Sequence, residues 1–398
     1  MRLLRPRSRW MFACAFVCAL LLASAVGAIG ATVAVPARVP AQALPRAQPQ
    51  LVAQFAHQVT GVAVSERGRV FVNFPRWTED TPVSVAEVMP DGALRPYPDA
   101  AWNAWRNVRR DELDAASHWV CVQSVVADGR GNLWVLDPAA PALDGIVPRG
   151  PKLVRIDLAG NRVAQVIRFD QSVAIPGAYL NDVRFSPDGR HAFLTDSGQR
   201  GALVVVELAS GTARRVLDGH PSTQPEPGIV VRTDGRPLRY PDGRPVLFAA
   251  DSIALAGDGN LYWKPLTGTT LYRIPSALLA ARGLAGQDVA AAVQPWGRVG
   301  PTDGFWIGRG GGMDKHGDIL FITSIEDNAV KARDLGQGPA AGLRVVAQDP
   351  RLRWPDSFAQ GPDGTLYVSD SRIQDSAFFR HDAPLALPTR LWRLRPSP

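Results

Sequence analysis

Polar residues recur in this chain at a fixed distance from a turn glycine. Eight residues before Gly68, Gly131, Gly189, Gly259, Gly317 and Gly364 stand Thr60, Gln123, Asn181, Asp251, Arg309 and Asp356. Aimed at one axis, such side chains could hold Ca²⁺ or another divalent cation through hard oxygen donors. They could equally orient an amine or a polyol through charge-assisted hydrogen bonds. The next residue is polar as well in Gln123-Ser124, Asn181-Asp182, Asp251-Ser252 and Asp356-Ser357. Asp and Asn also cap strand ends by bonding neighbouring backbone N–H groups. Equivalent placement in several repeats brings a shared site level with that simpler use. The candidate ligand-binding set is Thr60, Gln123, Asn181, Asp182, Asp251, Ser252, Asp356 and Ser357. Outside it, His220 titrates near neutral pH and is the one candidate general base, although a lone loop histidine is more often structural.

The elements that position these residues are six copies of one phrase. An apolar strand runs into a glycine turn and leaves as a second strand rich in aromatic and β-branched residues. The copies read TGVAVSERGRVFV, QSVVADGRGNLWV, NDVRFSPDGRHAFL, DSIALAGDGNLYW, RGGGMDKHGDILFI and DSFAQGPDGTLYV. Hairpins at periods of 47 to 70 residues point to an all-β, six-bladed β-propeller whose first strands line a central channel. Blade four is expected to continue through Leu271–Ile274, a helical insertion at Ser276–Arg282 and an outer strand Val289–Trp296. Blade five is expected to begin at Arg309, which makes Gln294–Gly308 a loop excursion. Blade six ends with Arg390–Leu394 and lacks a fourth strand. The unpartnered segment Gln50–Ala56 can supply it, closing the ring and removing two open sheet edges. Trp134, Tyr262 and Tyr367 stand three residues after their turn glycines, a phase that suits packing between blades.

Composition narrows the function. The 398 residues carry a net charge of +7, but Arg2, Arg5, Arg7 and Arg9 supply four of those charges. No basic stripe interleaved with aromatics remains, which argues against nucleic-acid binding. Residues 1–31 have the three-part layout of a secretory signal: arginines, an apolar run from Trp10 to Leu22, then small residues. Residues 32–49 read as a Pro/Ala-rich tether and 50–398 as the propeller. The expectation is an exported monomer, periplasmic or extracellular, with no stable membrane span once the leader is cleaved. Cys121 is the one cysteine left after the leader and sits in an apolar run, as an inert core thiol would. There is no G-x-S-x-G, Walker A, H-E-x-x-H or paired C-x-x-C motif. The run Gly308-Arg309-Gly310-Gly311-Gly312 lacks the Lys-Ser/Thr of a phosphate loop.

Many segments in order, among them TGVAVSERGRVFVNFPRW, QSVVADGRGNLWVLDP, YLNDVRF, TDSG, LDGHPST and DPRLRWPDSFAQGPDGTLYVSDS, resemble the major royal jelly/yellow protein family from about Gln50 to Leu394. That resemblance implies a secreted six-bladed propeller. Some insect members bind biogenic amines in the central cavity, and others convert dopachrome. The chain is more distantly similar to gluconolactonase/regucalcin propellers, which hold one divalent metal at the channel mouth through a Glu, an Asn and an Asp. Asn181 and Asp251 match the Asn and Asp by position, while Thr60 stands where the Glu is expected and Gln123 replaces a substrate-contacting Asn. Three functions follow as expectations: a small-molecule binder using the channel, a metal-dependent lactonase-like hydrolase, and a protein-interaction propeller working through its long loops.

Overall fold

The computed structural model describes residues 46–141, 145–308, 318–380 and 387–395. The leader and most of the tether lie outside the described residues, as does Arg309. Six four-stranded antiparallel sheets follow one another along the chain, as the blades of a propeller. Their innermost strands are Val62–Val64, Ser124–Ala127, Leu180–Phe185, Ala250–Leu255, Phe305–Gly308 and Pro355–Gln360. Each hairpin turns where the period-2 pattern breaks at glycine. In blade four, Gly259 has φ +84°, a conformation that side chains avoid, and its N–H closes the turn on the Ala256 carbonyl at 3.0 Å.

The ring closes as expected. Strand Gln50–Phe55 pairs antiparallel with Thr389–Leu394, placing Gln50 opposite Arg393 and Phe55 opposite Thr389. The first strand of the chain is thus the outermost strand of the last blade. Ordered chain extends back into the expected tether. The Ala47 N–H donates to the Val346 carbonyl at 2.8 Å, and Ala47 joins the apolar cluster between blades five and six.

Six apolar clusters each join two neighbouring blades. Trp134 packs on Phe185 of the next blade at a ring separation of 4.9 Å. Tyr262 shares a cluster with Phe305, and Tyr367 packs against the cluster of blades six and one. The shared phase of these aromatics therefore serves packing between blades. Each of these six clusters draws on two neighbouring blades, so among the described residues the blades share their cores.

Two expectations need correction. In blade four the segment at Val289 is a helix, Gly286–Ala291, and the outer strand begins only at Gln294 (Gln294–Arg298). The run Val289-Ala290-Ala291-Ala292 is alanine-rich, which favours helix, and Val289 is buried with Leu279 from the helix Ser276–Ala280. In blade five the inner strand is Phe305–Gly308, before the glycine run rather than after it. It pairs with Ile319–Ser324 through Phe305 opposite Ile322 and Gly308 opposite Ile319. The residue opening this blade is therefore Asp303, fourteen residues before Gly317 where the other blades have eight. The segment Gln294–Gly308 is not a loop excursion but holds the last strand of one blade and the first of the next.

Candidate functional site: a carboxyl pair under an aromatic wall

Six residues open the inner strands at one mouth of the channel: Thr60, Gln123, Asn181, Asp251, Asp303 and Asp356. All are buried or nearly so. A continuous series of hydrogen bonds links four blades among them. The Trp77 indole N–H donates to Tyr179 Oη at 2.6 Å, and the Tyr179 hydroxyl donates to Gln123 Oε1 at 2.9 Å. Gln123 Nε2 donates to Asn181 Oδ1 at 3.2 Å, and Asn181 Nδ2 donates to Asp251 Oδ2 at 2.8 Å. From the other side, Trp354 Nε1 donates to Asp303 Oδ2 at 2.5 Å. Both series end on carboxyl groups, and those of Asp251 and Asp303 are in hydrogen-bonding contact with each other.

Two carboxyls in contact cannot both ionise cheaply. Burial first, then the Asp303 and Asp356 charges, holds Asp251 well above the ordinary carboxylate range. Burial raises Asp303 to about 6 against the pull of the Trp354 and Asp251 hydrogen bonds. Asp356 is also held well above its usual range, by burial and then by Asp303. Its Oδ1 accepts from Ser357 Oγ at 3.0 Å, and its buried Oδ2 has no hydrogen-bond partner among the described residues. Lys264, on the second strand of blade four, is fully buried; burial lowers it to about 7, and Asp251 and Asp303 resist the change. Its Nζ donates to the carbonyls of Pro265 at 2.5 Å and Leu266 at 3.3 Å.

The pair lies in the floor of a cavity of about 220 Å³. Gln123, Asn181 and Ser197 complete the polar floor. The wall is aromatic: Trp77, Tyr179, Tyr240, Phe248, Trp354, Phe378 and Phe379. These rings come from loops within and between different blades and touch one another, with Trp77 and Phe378 centroids 5.9 Å apart and Tyr240 and Phe379 5.3 Å apart. Arg353 ties two of the loops together. It donates to Asp375 at 2.6 and 2.8 Å and to Asp234, in the insertion after blade three, at 3.0 and 2.9 Å.

The remaining candidates do not line the cavity. Asp182 accepts from Ser124 Oγ at 2.9 Å and pairs with Arg184 at 2.8 Å. Arg184 continues to the Phe305 carbonyl of blade five at 2.8 Å. Because it follows Asp182 by two residues on the inner strand, it forms the layer below the site. Ser252 donates to the Thr302 carbonyl, and Thr60 Oγ1 donates to the Gln123 carbonyl while accepting from Asn73. His220 accepts the Ser222 N–H at 3.2 Å and caps the turn Pro221–Thr223, and burial lowers its pKa. Cys121 is buried and its thiol is pushed up to about 12.

A divalent cation does not fit these donors. Both carboxamide oxygens at the mouth are already engaged, Gln123 Oε1 by Tyr179 and Asn181 Oδ1 by Gln123. Asn181 turns its N–H₂ toward Asp251, and Thr60 supplies no carboxylate where a third ligand would stand. Among the described residues, no three His, Cys, Asp or Glu side chains are grouped as a metal site.

Fold and site together define a propeller with an aromatic-walled pocket over a polar floor at one mouth of its channel. The chain belongs to the major royal jelly protein family, whose model matches residues 120–383. No curated protein sequence matches it. Among solved structures it is similar to a gluconolactonase from Xanthomonas campestris, at 14% identity over 89% of this chain and 91% of that one, with a TM-score of 0.52. It is also similar to the PQQ-bound aldose sugar dehydrogenase of Streptomyces coelicolor, at 13% identity over 89% and 99% of the two chains and a TM-score of 0.50. A luciferin-regenerating enzyme matches at 11% identity over 87% and 95%, also with a TM-score of 0.50. At these identities the likeness shows the fold.

Proposed function

We propose that the protein binds a small amine, with an aromatic or apolar body, in the central pocket. The observation that carries this reading is the Asp251–Asp303 pair under an aromatic wall. A neutral polyol would meet few free acceptors, since the carboxamides are engaged with each other and with Tyr179. An ammonium pairs with the negative charge of the carboxyl pair, and its organic body fills the ring-lined volume, where cation–π attraction adds to burial. Export of the mature chain, expected from residues 1–31, would place such a binder outside the cytoplasm. The test is calorimetric titration with phenethylamine and with its neutral isostere 2-phenylethanol. Saturable binding of the amine, with the alcohol at least about tenfold weaker, supports the reading; equal binding of the two, or binding of neither, removes it.

A further inference from the structure

We propose that the Asp251–Asp303 pair keeps one proton between its carboxyls, offers the pocket a single negative charge, and so takes one monocation at neutral pH and releases it on acidification. This rests on the amine-binding reading and adds the charge of the ligand and the control of its release. The geometry leads to it. Donor series arrive from opposite sides and stop at the pair: Asn181 on Asp251 Oδ2 at 2.8 Å and Trp354 on Asp303 Oδ2 at 2.5 Å. Each carboxyl thus has one oxygen committed to a protein donor, and the two groups meet each other without an intervening cation of the protein. Two acceptors in contact need a hydrogen between them. Burial holds both carboxyls above the ordinary range, and Asp303, raised to about 6, carries the charge above that pH.

Above about 7, no group among the described residues cancels that charge. Burial, and then the Asp303 charge, holds Asp356 of blade six well above the ordinary carboxylate range. Asp182 is neutralised by Arg184 at 2.8 Å. Lys264 lies beside Asp251 and Asp303, with Glu226 and Glu326 also acting on it, and it gains its proton near 7. Acidification therefore adds a positive charge at Lys264 and removes a negative one at Asp303, and both changes expel a cation. Among the described residues the cavity is lined by no carboxyl besides this pair, so a second ammonium on the ligand finds no partner of its own, which selects monoamines over diamines.

The experiment titrates the full chain with phenethylamine between pH 5 and 8, in paired buffers of different ionisation enthalpy so that released protons are counted. The expected result is affinity that falls as pH drops through about 7 and again below about 6, with roughly one to two protons released per amine at pH 5 and fewer at pH 8. Asp303→Asn should weaken the amine at pH 8 and remove the step near 6, leaving any Lys264 step near 7. 1,4-Diaminobutane should bind no more tightly than 1-butylamine. Amine binding of equal strength at pH 5 and 8 without proton release, or a clear preference for the diamine, overturns the inference and leaves the amine pocket standing. No amine binding at any pH removes the pocket reading, and the inference with it.

Discussion

Asn181 donates its side-chain N–H to Asp251 across 2.8 Å, from one blade to the next. The bond fixes which oxygen of Asp251 is occupied and turns the asparagine's own oxygen away from the axis, toward Gln123. One contact thereby withdraws the oxygen a metal would need from Asn181 and orients the carboxyl for its partner Asp303.

Replacing Asp251 tests that arrangement. Asp251→Asn should weaken phenethylamine by roughly 0.5–1.5 kcal/mol, the scale of a neutral hydrogen bond, because Asp303 still carries the charge. The empty variant should be as stable as the parent or more so, since a crowded carboxyl is gone. Calorimetry and thermal melting check both. An unfolded empty variant with intact affinity would make Asp251 a structural cap.

The empty protein should lose stability as pH rises from about 4 to 6. Asp303 has a folded value near 6, above that of an unfolded aspartate. Its contribution is fully present below the unfolded value and is lost as pH climbs through the folded one. The loss is on the order of 2–3 kcal/mol for this group. Melting curves of the parent and of Asp303→Asn across that range should differ in slope, with the variant flatter. Parallel curves would show that Asp303 ionises as an ordinary surface acid does.

Much of this architecture is legible in the chain. Hairpin glycines mark the blades because a tight antiparallel turn requires a positive φ, and the orphan segment at Gln50 has only one open edge to pair with. Gln123, Asn181 and Asp251 follow from their phase to those glycines. Asp303 does not, because the connection after Phe305–Gly308 is six residues longer than in the other blades and the count from Gly317 falls on Arg309. Counting from the strand start, where Asp303-Gly304 precedes Phe305, finds it. The aromatic wall has no such signal. Trp77, Tyr240 and Phe379 lie in loops of unrelated length, and only the closed ring brings them together.

Closure itself makes a prediction. Phe55 is buried against Phe74 at a ring separation of 5.3 Å, in the cluster joining the last blade to the first. Phe55→Ala should cost about 3–5 kcal/mol, and a chain starting at His57 should lose its cooperative melting transition. A truncated chain that melts as the parent does would show that the ring is held without its first strand.

Arg353 offers a way to disturb the wall without touching the floor. Arg353→Ala breaks its pairs with Asp234 and Asp375, so the hairpin of Arg232–Thr233 and Arg236–Pro237 should become sensitive to limited proteolysis. Amine affinity should fall several-fold while its pH dependence keeps the same shape, because Asp251 and Asp303 are untouched. A changed pH profile would mean that the wall and the carboxyl pair are not separable.

The most direct measurement is a crystal structure of the protein with phenethylamine bound at neutral pH. The ammonium nitrogen should lie about 3 Å from a carboxyl oxygen of Asp303, beside Asp251, with its ring against Trp77 or Trp354. A divalent ion seated on Asn181 and Asp251, or an amine bound away from the pair, would contradict the account.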